Sequence, residues 1–218
     1  MTPHMKSADP NPIPLDGSIY MSLIDYLEES SALLKKTATD SMSRKINSAA
    51  EHIVSALLKE KPFLVCGNGG SAADALHIAG ELAGRYLKER KALNCIALSG
   101  NVALLTAWGN DYSYDTIFSR QVEAYGQPGG VLMCISTSGN SVNVLEAAKT
   151  ARDKDMTVIG LTGESGGKLA QVCDVVLNAP TANTPMVQQI HICLYHYLCE
   201  IIEIRMATAD EASPELCK

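Results

Sequence analysis

A chain of 218 residues that is 46% hydrophobic can bury one substantial core, enough for one domain or at most two small ones. Its net charge of −6 excludes the broad basic surface of a general nucleic-acid binder but leaves room for a small local anion site. No apolar run approaches the ~20 residues a membrane span needs, and the N-terminus lacks the charged-then-apolar order of a secretory signal.

Residues 1–17 carry four prolines (Pro3, Pro10, Pro12 and Pro14) with few large apolar side chains, and they read as a flexible leader outside the fold. From Ser18 the pattern turns helical. Tyr20, Leu23, Ile24, Leu27, Leu33 and Leu34 recur at helical spacing, and Ile46, Ala50, Ile53, Val54, Leu57 and Leu58 form a second apolar stripe. Short apolar runs then follow at 63–66, 95–98, 131–136, 157–161 and 175–177, each expected to be a strand. Between them the spacing predicts helices at about 72–87, 102–108, 115–125, 142–154 and 167–172. A last helix is expected over 185–206, with Pro185 in its first turn, followed by a polar, frayed tail from 207 to 218.

Short runs buried on both faces and separated by helices are the sequence form of a parallel sheet in a doubly wound α/β domain. The expectation is a single domain over 18–206, built on five parallel strands with an N-terminal helical extension. The seven cysteines are scattered, with an odd total and no C-x-x-C. Most lie inside apolar runs, as reduced core thiols of a cytoplasmic protein do.

In such a sheet, ligands bind outside the carboxyl ends of the strands. Two unusual loops stand there. Gly67-Asn68-Gly69-Gly70-Ser71 follows the first strand and opens a helix, so its glycines admit positive φ and its free N–H groups can face a phosphate or sugar hydroxyls. Gly67-x-Gly69-x-x-Ala72 also fits a dinucleotide fingerprint, but the second strand ends in Leu98-Ser99-Gly100, without the carboxylate that would hold the ribose. Ser136-Thr137-Ser138-Gly139-Asn140-Ser141 follows the third strand. Its four hydroxyls can donate to phosphate oxygens, and Ser141 stands where a helix cap would. No lysine completes a nucleoside-triphosphate loop there.

His77 and Glu81 are four apart on the helix launched by the first loop, hence on one face. His191 and His196 lie in the last helix, after Gln188. Two histidines, a Glu and a Gln at one point could hold a divalent metal such as zinc, or a His–Glu pair could exchange protons. Spacing alone leaves both open. Gln188 and His196 are eight residues apart, about 12 Å along a straight helix, so a shared site between copies of the chain is one way to bring both to one ion. Arg85, one turn beyond Glu81, could pair with it or bind substrate, and Asn110-Asp111 ends a short helix.

These motifs together carry a resemblance: C-G-N-G-G-S (66–71), A-D-A-L-H-I-A-G-E-L (73–82), G-R-Y (84–86), G-N-D-Y (109–112), I-F-S-R-Q-V-E-A (117–124), I-S-T-S-G-N-S (135–141), T-P-x-x-Q (184–188) and H-x-x-x-x-H (191–196). From about 63 to 203 the chain resembles the sugar isomerase (SIS) family, a flavodoxin-like fold, and within it the bacterial phosphoheptose isomerases. The resemblance implies an aldose–ketose isomerase that converts D-sedoheptulose 7-phosphate to D-glycero-D-manno-heptose 7-phosphate for surface polysaccharide. It also implies a cytoplasmic homotetramer with active sites between subunits and one Zn2+ per subunit, with no nucleic-acid or membrane partner. Carried over by position, His77, Glu81, Gln188 and His196 would be the metal ligands. Glu81 would be the general base and His196 its acid partner. Ser136, Thr137, Ser138 and Ser141 would hold the phosphate. Asn68, Gly69, Gly70, Ser71, Arg85, Asn110 and Asp111 would hold the sugar chain, with Glu81 and Gln188 also meeting substrate. Two alternatives carry different chemistry: a non-catalytic SIS module that binds a replication initiator protein, and an isomerase of another sugar phosphate. The first looks different at the equivalents of Glu81 and His196.

Overall fold

The computed structural model describes residues 21–212. Two helices come first, α1 (Leu23–Thr37) and α2 (Asp40–Leu58). Each begins on a hydroxyl cap: Ser22 Oγ accepts from the Asp25 N–H and Thr39 Oγ1 from the Met42 N–H, both at 3.1 Å. The alternating part then runs β1 (Phe63–Gly67), α3 (Gly70–Ala83), β2 (Cys95–Ala97), α4 (Val102–Asp111), α5 (Ser119–Tyr125), β3 (Val131–Ser136), α6 (Val142–Asp153), β4 (Thr157–Thr162), β5 (Val175–Asn178) and α7 (Thr184–Ala212). All five strands pair in parallel, in the order β2-β1-β3-β4-β5. This is the expected doubly wound sheet in the flavodoxin-like order, whose direction of winding reverses between β1 and β3.

Strand alternation divides the core in two. Phe63 and Val65 of β1 face one layer, where Ile46, Ile53, Ile78, Leu82, Tyr195, Leu198 and Ile202 from α2, α3 and α7 are buried. Leu64 and Cys66 face the other, packed with Phe118, Val122, Val144, Ala147 and Ala151. Among the described cysteines, Cys66, Cys95, Cys134 and Cys199 are buried free thiols, Cys173 is half-buried and Cys193 is exposed on α7. The described residues include no helix long and apolar enough to cross a membrane.

The strands fall where the apolar runs place them, whereas several helix bounds differ. The helix expected at 72–87 starts two residues earlier and stops at Ala83, after which the chain enters a stretch held by the Glu203 side chain of α7. The helix expected at 115–125 divides into a single 3-10 turn, Tyr114–Thr116, and α5. At 167–172 only another such turn forms, Leu169–Gln171, because Gly166 and Gly167 enter it with φ of +68° and +56°. α7 runs past Met206 to Ala212, so the first part of the expected tail is helical. The expected leader at 1–17 and the tail end at 213–218 lie outside the described residues.

Candidate active site

The loops after β1 and β3 meet at the point where the sheet reverses. Asn68 and Asn143 clasp side chain to side chain, Asn68 Nδ2 donating to Asn143 Oδ1 at 2.8 Å and Asn143 Nδ2 to Asn68 Oδ1 at 2.9 Å. The Tyr114 hydroxyl also donates to Asn68 Oδ1, at 2.9 Å, and ties the turn after α4 to the first loop. Neither helix launched from these loops is capped by its own side chain. Gly69 (φ +55°) stands at the N-cap of α3 without one. Ser141, at the N-cap of α6, makes no cap bond; its hydroxyl faces that of Ser136 at 3.1 Å instead. Ser141 thus stands at the cap position, as expected, with its hydroxyl turned to Ser136 rather than to the helix. The first N–H groups of α6 stay free for an anion, whereas in α3 those of Ser71 and Ala72 already bond the Asn68 and Gly69 carbonyls at 3.0 Å.

The second loop is held rigidly from behind. Gly139 has φ +65°, and its carbonyl accepts from the Leu169 N–H at 2.9 Å while the Thr137 carbonyl accepts from the Gly163 N–H at 3.0 Å. Ser136 is buried, Thr137 is half-buried and Ser138 is exposed, so the loop presents hydroxyls at graded depth.

His77 and Glu81 on α3 meet His196 on α7. His77 Nε2 lies 3.0 Å from Glu81 Oε1 and 3.5 Å from His196 Nε2. One donor atom from each of the three lies within 4.8 Å of the others, a two-histidine, one-carboxylate set of the kind that leaves a catalytic zinc an open position. Three acceptor-capable atoms pointing at one another are mutually unfavourable unless protons or a cation sit among them, so the donor set fits a divalent metal. The cluster is accessible: the His77 side chain is 45% exposed and that of Glu81 22%.

Behind His77, the Tyr195 hydroxyl stands 2.9 Å from Nδ1 and 3.5 Å from Asp74 Oδ1. Burial pushes the Asp74 carboxyl up to about 6, opposed by the Tyr195 hydrogen bond and the nearby His77. Glu203, on α7, is buried and accepts the backbone N–H groups of Tyr86, Leu87 and Lys88 at 3.0, 2.7 and 2.8 Å. Its partner Arg90 (Nε–Oε1 3.3 Å) donates through Nη2 to the Glu81 carbonyl at 2.9 Å. Sequence reasoning missed Asp74, Tyr195, Arg90 and Glu203. A signal for the first was present, because positions 74, 77 and 81 share one helix face.

Other expected residues sit apart. The Gln188 side chain lies over Gly70 at the start of α3, so close that a Cβ on Gly70 would collide with its amide. His77 is seven residues further along α3, about 10 Å on the helix axis. Gln188 and the triad are thus at different points within one chain. His191 is fully buried, with Nε2 donating to the Thr162 carbonyl at 3.1 Å, and burial pushes it down to about 4; it is a neutral core residue. Arg85 is exposed and pairs with no carboxylate among the described residues; the pairing weighed for it and Glu81 does not form. Asn110 and Asp111 end α4, exposed and joined to each other by a 2.9 Å hydrogen bond.

Residues 25–163 match the model of the SIS domain. The phosphoheptose isomerase of Rhodospirillum rubrum is 54% identical over 158 residues, which are 72% of this chain and 84% of that protein. Among solved structures, the phosphoheptose isomerase of Neisseria gonorrhoeae superposes with a TM-score of 0.78 at 43% identity, over 83% of this chain and 96% of that one. That of Francisella tularensis gives 0.79 at 40% identity, over 84% and 98%. The chain belongs to the SIS domain family, in its phosphoheptose isomerase branch.

Proposed function

We propose that this protein is an aldose–ketose isomerase that converts D-sedoheptulose 7-phosphate to D-glycero-D-manno-heptose 7-phosphate, an early step towards nucleotide-activated heptose for surface polysaccharide. The observation that carries the reading is the meeting of Glu81 with His77 and His196 in a chain about half identical to phosphoheptose isomerases. The rival reading, a non-catalytic module for an initiator protein, has no use for such a pairing.

The chemistry moves one proton between neighbouring carbons. Glu81 takes a proton from C1 of the ketose while His196 gives one to the C2 oxygen, leaving an enediol. Glu81 then returns its proton to C2, and the C1 hydroxyl proton passes to His196 as the aldehyde forms. Glu81 Oε1 is engaged by His77, which leaves Oε2 for the carbon proton. His77, Glu81 and His196 would hold one Zn2+ per subunit, and the ion would supply an electrophile at the reacting oxygens. Binding zinc weakens Glu81 as a base, so the two roles compete through one carboxylate.

Ser136, Thr137, Ser138 and Ser141 hold the phosphate beside the free N–H groups of α6. Asn68, Gly69, Gly70, Ser71, Arg85, Asn110 and Asp111 line the sugar chain. The assembly is a cytoplasmic homotetramer with sites between subunits. Supporting it, α1 exposes Leu23, Ile24 and Leu27, and α7 exposes Tyr197 and Ile204, apolar surface that a partner copy would cover. Gln188 would join the ligand set from a neighbouring subunit. The test is to incubate the protein with sedoheptulose 7-phosphate and follow the aldose by NMR. No aldose from well-folded protein in the presence of zinc overturns the reading; turnover only of a hexose or pentose phosphate changes the sugar but keeps the class.

A further inference from the structure

We infer that Asn143 and Tyr114 are positioning residues for Asn68, fixing its amide so that the first loop meets substrate with one free N–H and no free carbonyl lone pair. The inference rests on the reading of Asn68 as part of the sugar site and names two residues that act through it.

A side-chain amide offers two N–H donors and two lone pairs on its oxygen. Asn68 Oδ1 accepts from Asn143 Nδ2 and from the Tyr114 hydroxyl, each at 2.9 Å, so both its lone pairs are used. Asn68 Nδ2 gives one hydrogen to Asn143 Oδ1 at 2.8 Å. One N–H is left, with no further partner among the described residues. Asn68 keeps part of its surface exposed, and this spare donor is what it has to offer a hydroxyl or phosphate oxygen of the substrate.

Asn143 stands second in α6 and is only 2% exposed, yet it does not cap the helix. Its side-chain bonds go to Asn68 alone. A buried amide is costly unless paired, and an apolar side chain would pack that position of α6 without the cost. Tyr114 is exposed, so burial does not explain its place either. Its turn is pinned instead: the Trp108 indole N–H donates to Thr116 Oγ1 at 2.9 Å, and Trp108 stacks on Tyr112 with ring centroids 4.1 Å apart. Three separate elements, the loop after β1, the start of α6 and the turn after α4, thus converge on one amide where the sheet reverses. Released from the clasp, Asn68 would be free to turn its carbonyl towards the substrate and lose the donor.

The test uses the full chain labelled with 15N, with the Asn68 side-chain amide assigned by its loss in Asn68→Ala. In the ligand-free parent, one Asn68 amide proton is expected to be hydrogen-bonded, its shift nearly indifferent to temperature, and the other free. Adding sedoheptulose 7-phosphate should move the free one. Two bonded protons, the pattern of the amide turned over, overturn the inference, and so does an amide that ignores the sugar phosphate. Kinetics supply a second arm. Tyr114→Phe and Asn143→Ala should each raise KM by about twofold to tenfold while kcat stays near the parental value. In the Asn68→Ala background the same substitutions should raise KM no further, because their effect runs through Asn68. Losses that add in full would mark a purely structural role and overturn the inference. Should Asn143→Ala fail to fold, Tyr114→Phe, a change at an exposed side chain, carries the cycle alone. A parent whose Asn68 amide responds to sedoheptulose 7-phosphate without turnover would sink the isomerase reading and leave the inference standing; turnover with parental KM in both variants does the reverse.

Discussion

His77 and His196, 119 positions apart in the chain, present their Nε2 atoms to each other at 3.5 Å. The rings meet edge to face, with centroids 4.9 Å apart and planes at 88°. Two helices far apart in the chain are thus fixed so that two ring nitrogens and one carboxylate oxygen share a small volume at the surface. A cation bound there crosslinks α3 to α7 only in the folded state, so it must stabilise the fold by mass action. Zn2+ at a hundred times its dissociation constant is expected to add about 2.7 kcal/mol, which in a domain of this size raises Tm by roughly 5–10 °C. Calorimetry with and without chelator checks it, and His77→Ala should remove the shift. A Tm indifferent to both zinc and chelator would count against the metal while leaving the isomerase open.

Glu81→Gln keeps the shape of the side chain and removes its basicity. With Glu81 as the group that moves the carbon proton, kcat should fall by about 10²–10⁴-fold. KM should change far less, because phosphate contacts lie on the other loop. Steady-state kinetics on the heptose substrate separate the two constants. Unchanged turnover in this variant would remove Glu81 from the base role.

How much of this was legible beforehand depends on which forces act at short range. The strands and the two loops could be read because their signals are local: runs of Val, Ile, Leu and Cys end in Gly- or Ser-rich turns. His77 and Glu81 could be placed on one face from spacing alone. Their meeting with His196 could not, since it depends on how α7 crosses α3; resemblance supplied that pairing. The stop of α3 at Ala83 was hidden for a related reason. The residues after it are drawn to Glu203, 115 to 117 positions later, whose carboxylate takes three of their N–H groups. Arg85 looked like the partner of Glu81 by helical spacing, but the helix has ended before it. Arg90 takes the place behind Glu81 instead, bonding its carbonyl rather than its carboxylate.

Two glycines with positive φ separate backbone strain from crowding. Gly69 (φ +55°) has nothing within 4 Å of where a Cβ would stand. Gly69→Ala should therefore cost only the strained backbone, about 1–3 kcal/mol. At Gly139 (φ +65°) a Cβ would collide with the Gly166 carbonyl and lie 3.0 Å from the Gly167 nitrogen. Gly139→Ala adds a clash between two backbones that cannot turn aside, so its cost should exceed that of Gly69→Ala. It should also raise KM for the phosphorylated substrate by displacing Ser138. Urea unfolding and KM measured side by side test the ordering; equal stabilities would show that the loop yields freely.

Glu203 ties the stability of the fold to pH. Burial alone would raise its carboxyl, but the N–H donors of Leu87, Lys88 and Tyr86, together with Arg90, outweigh it and hold the group below its ordinary value. A carboxyl with a depressed folded pKa contributes stability that is present above its unfolded value, near 4.3, and is lost as pH falls through the folded value. Both side chains of the pair are almost fully enclosed, at 1% and 2% exposure, so removing one charge leaves the other stranded. Glu203→Gln is thus expected to cost about 3–5 kcal/mol at pH 7, with the same gap at pH 6. The gap should narrow as the pH drops below about 4, because the parent protein then protonates Glu203 and loses what the variant already lacks. Denaturation curves at neutral and acid pH measure both. The effect should reach the site as well, since Arg90 loses its counter-charge and with it the firm hold on the Glu81 carbonyl. A variant with parental stability at pH 7, or a gap that widens in acid, would show that the loop after α3 is held by something other than this carboxylate.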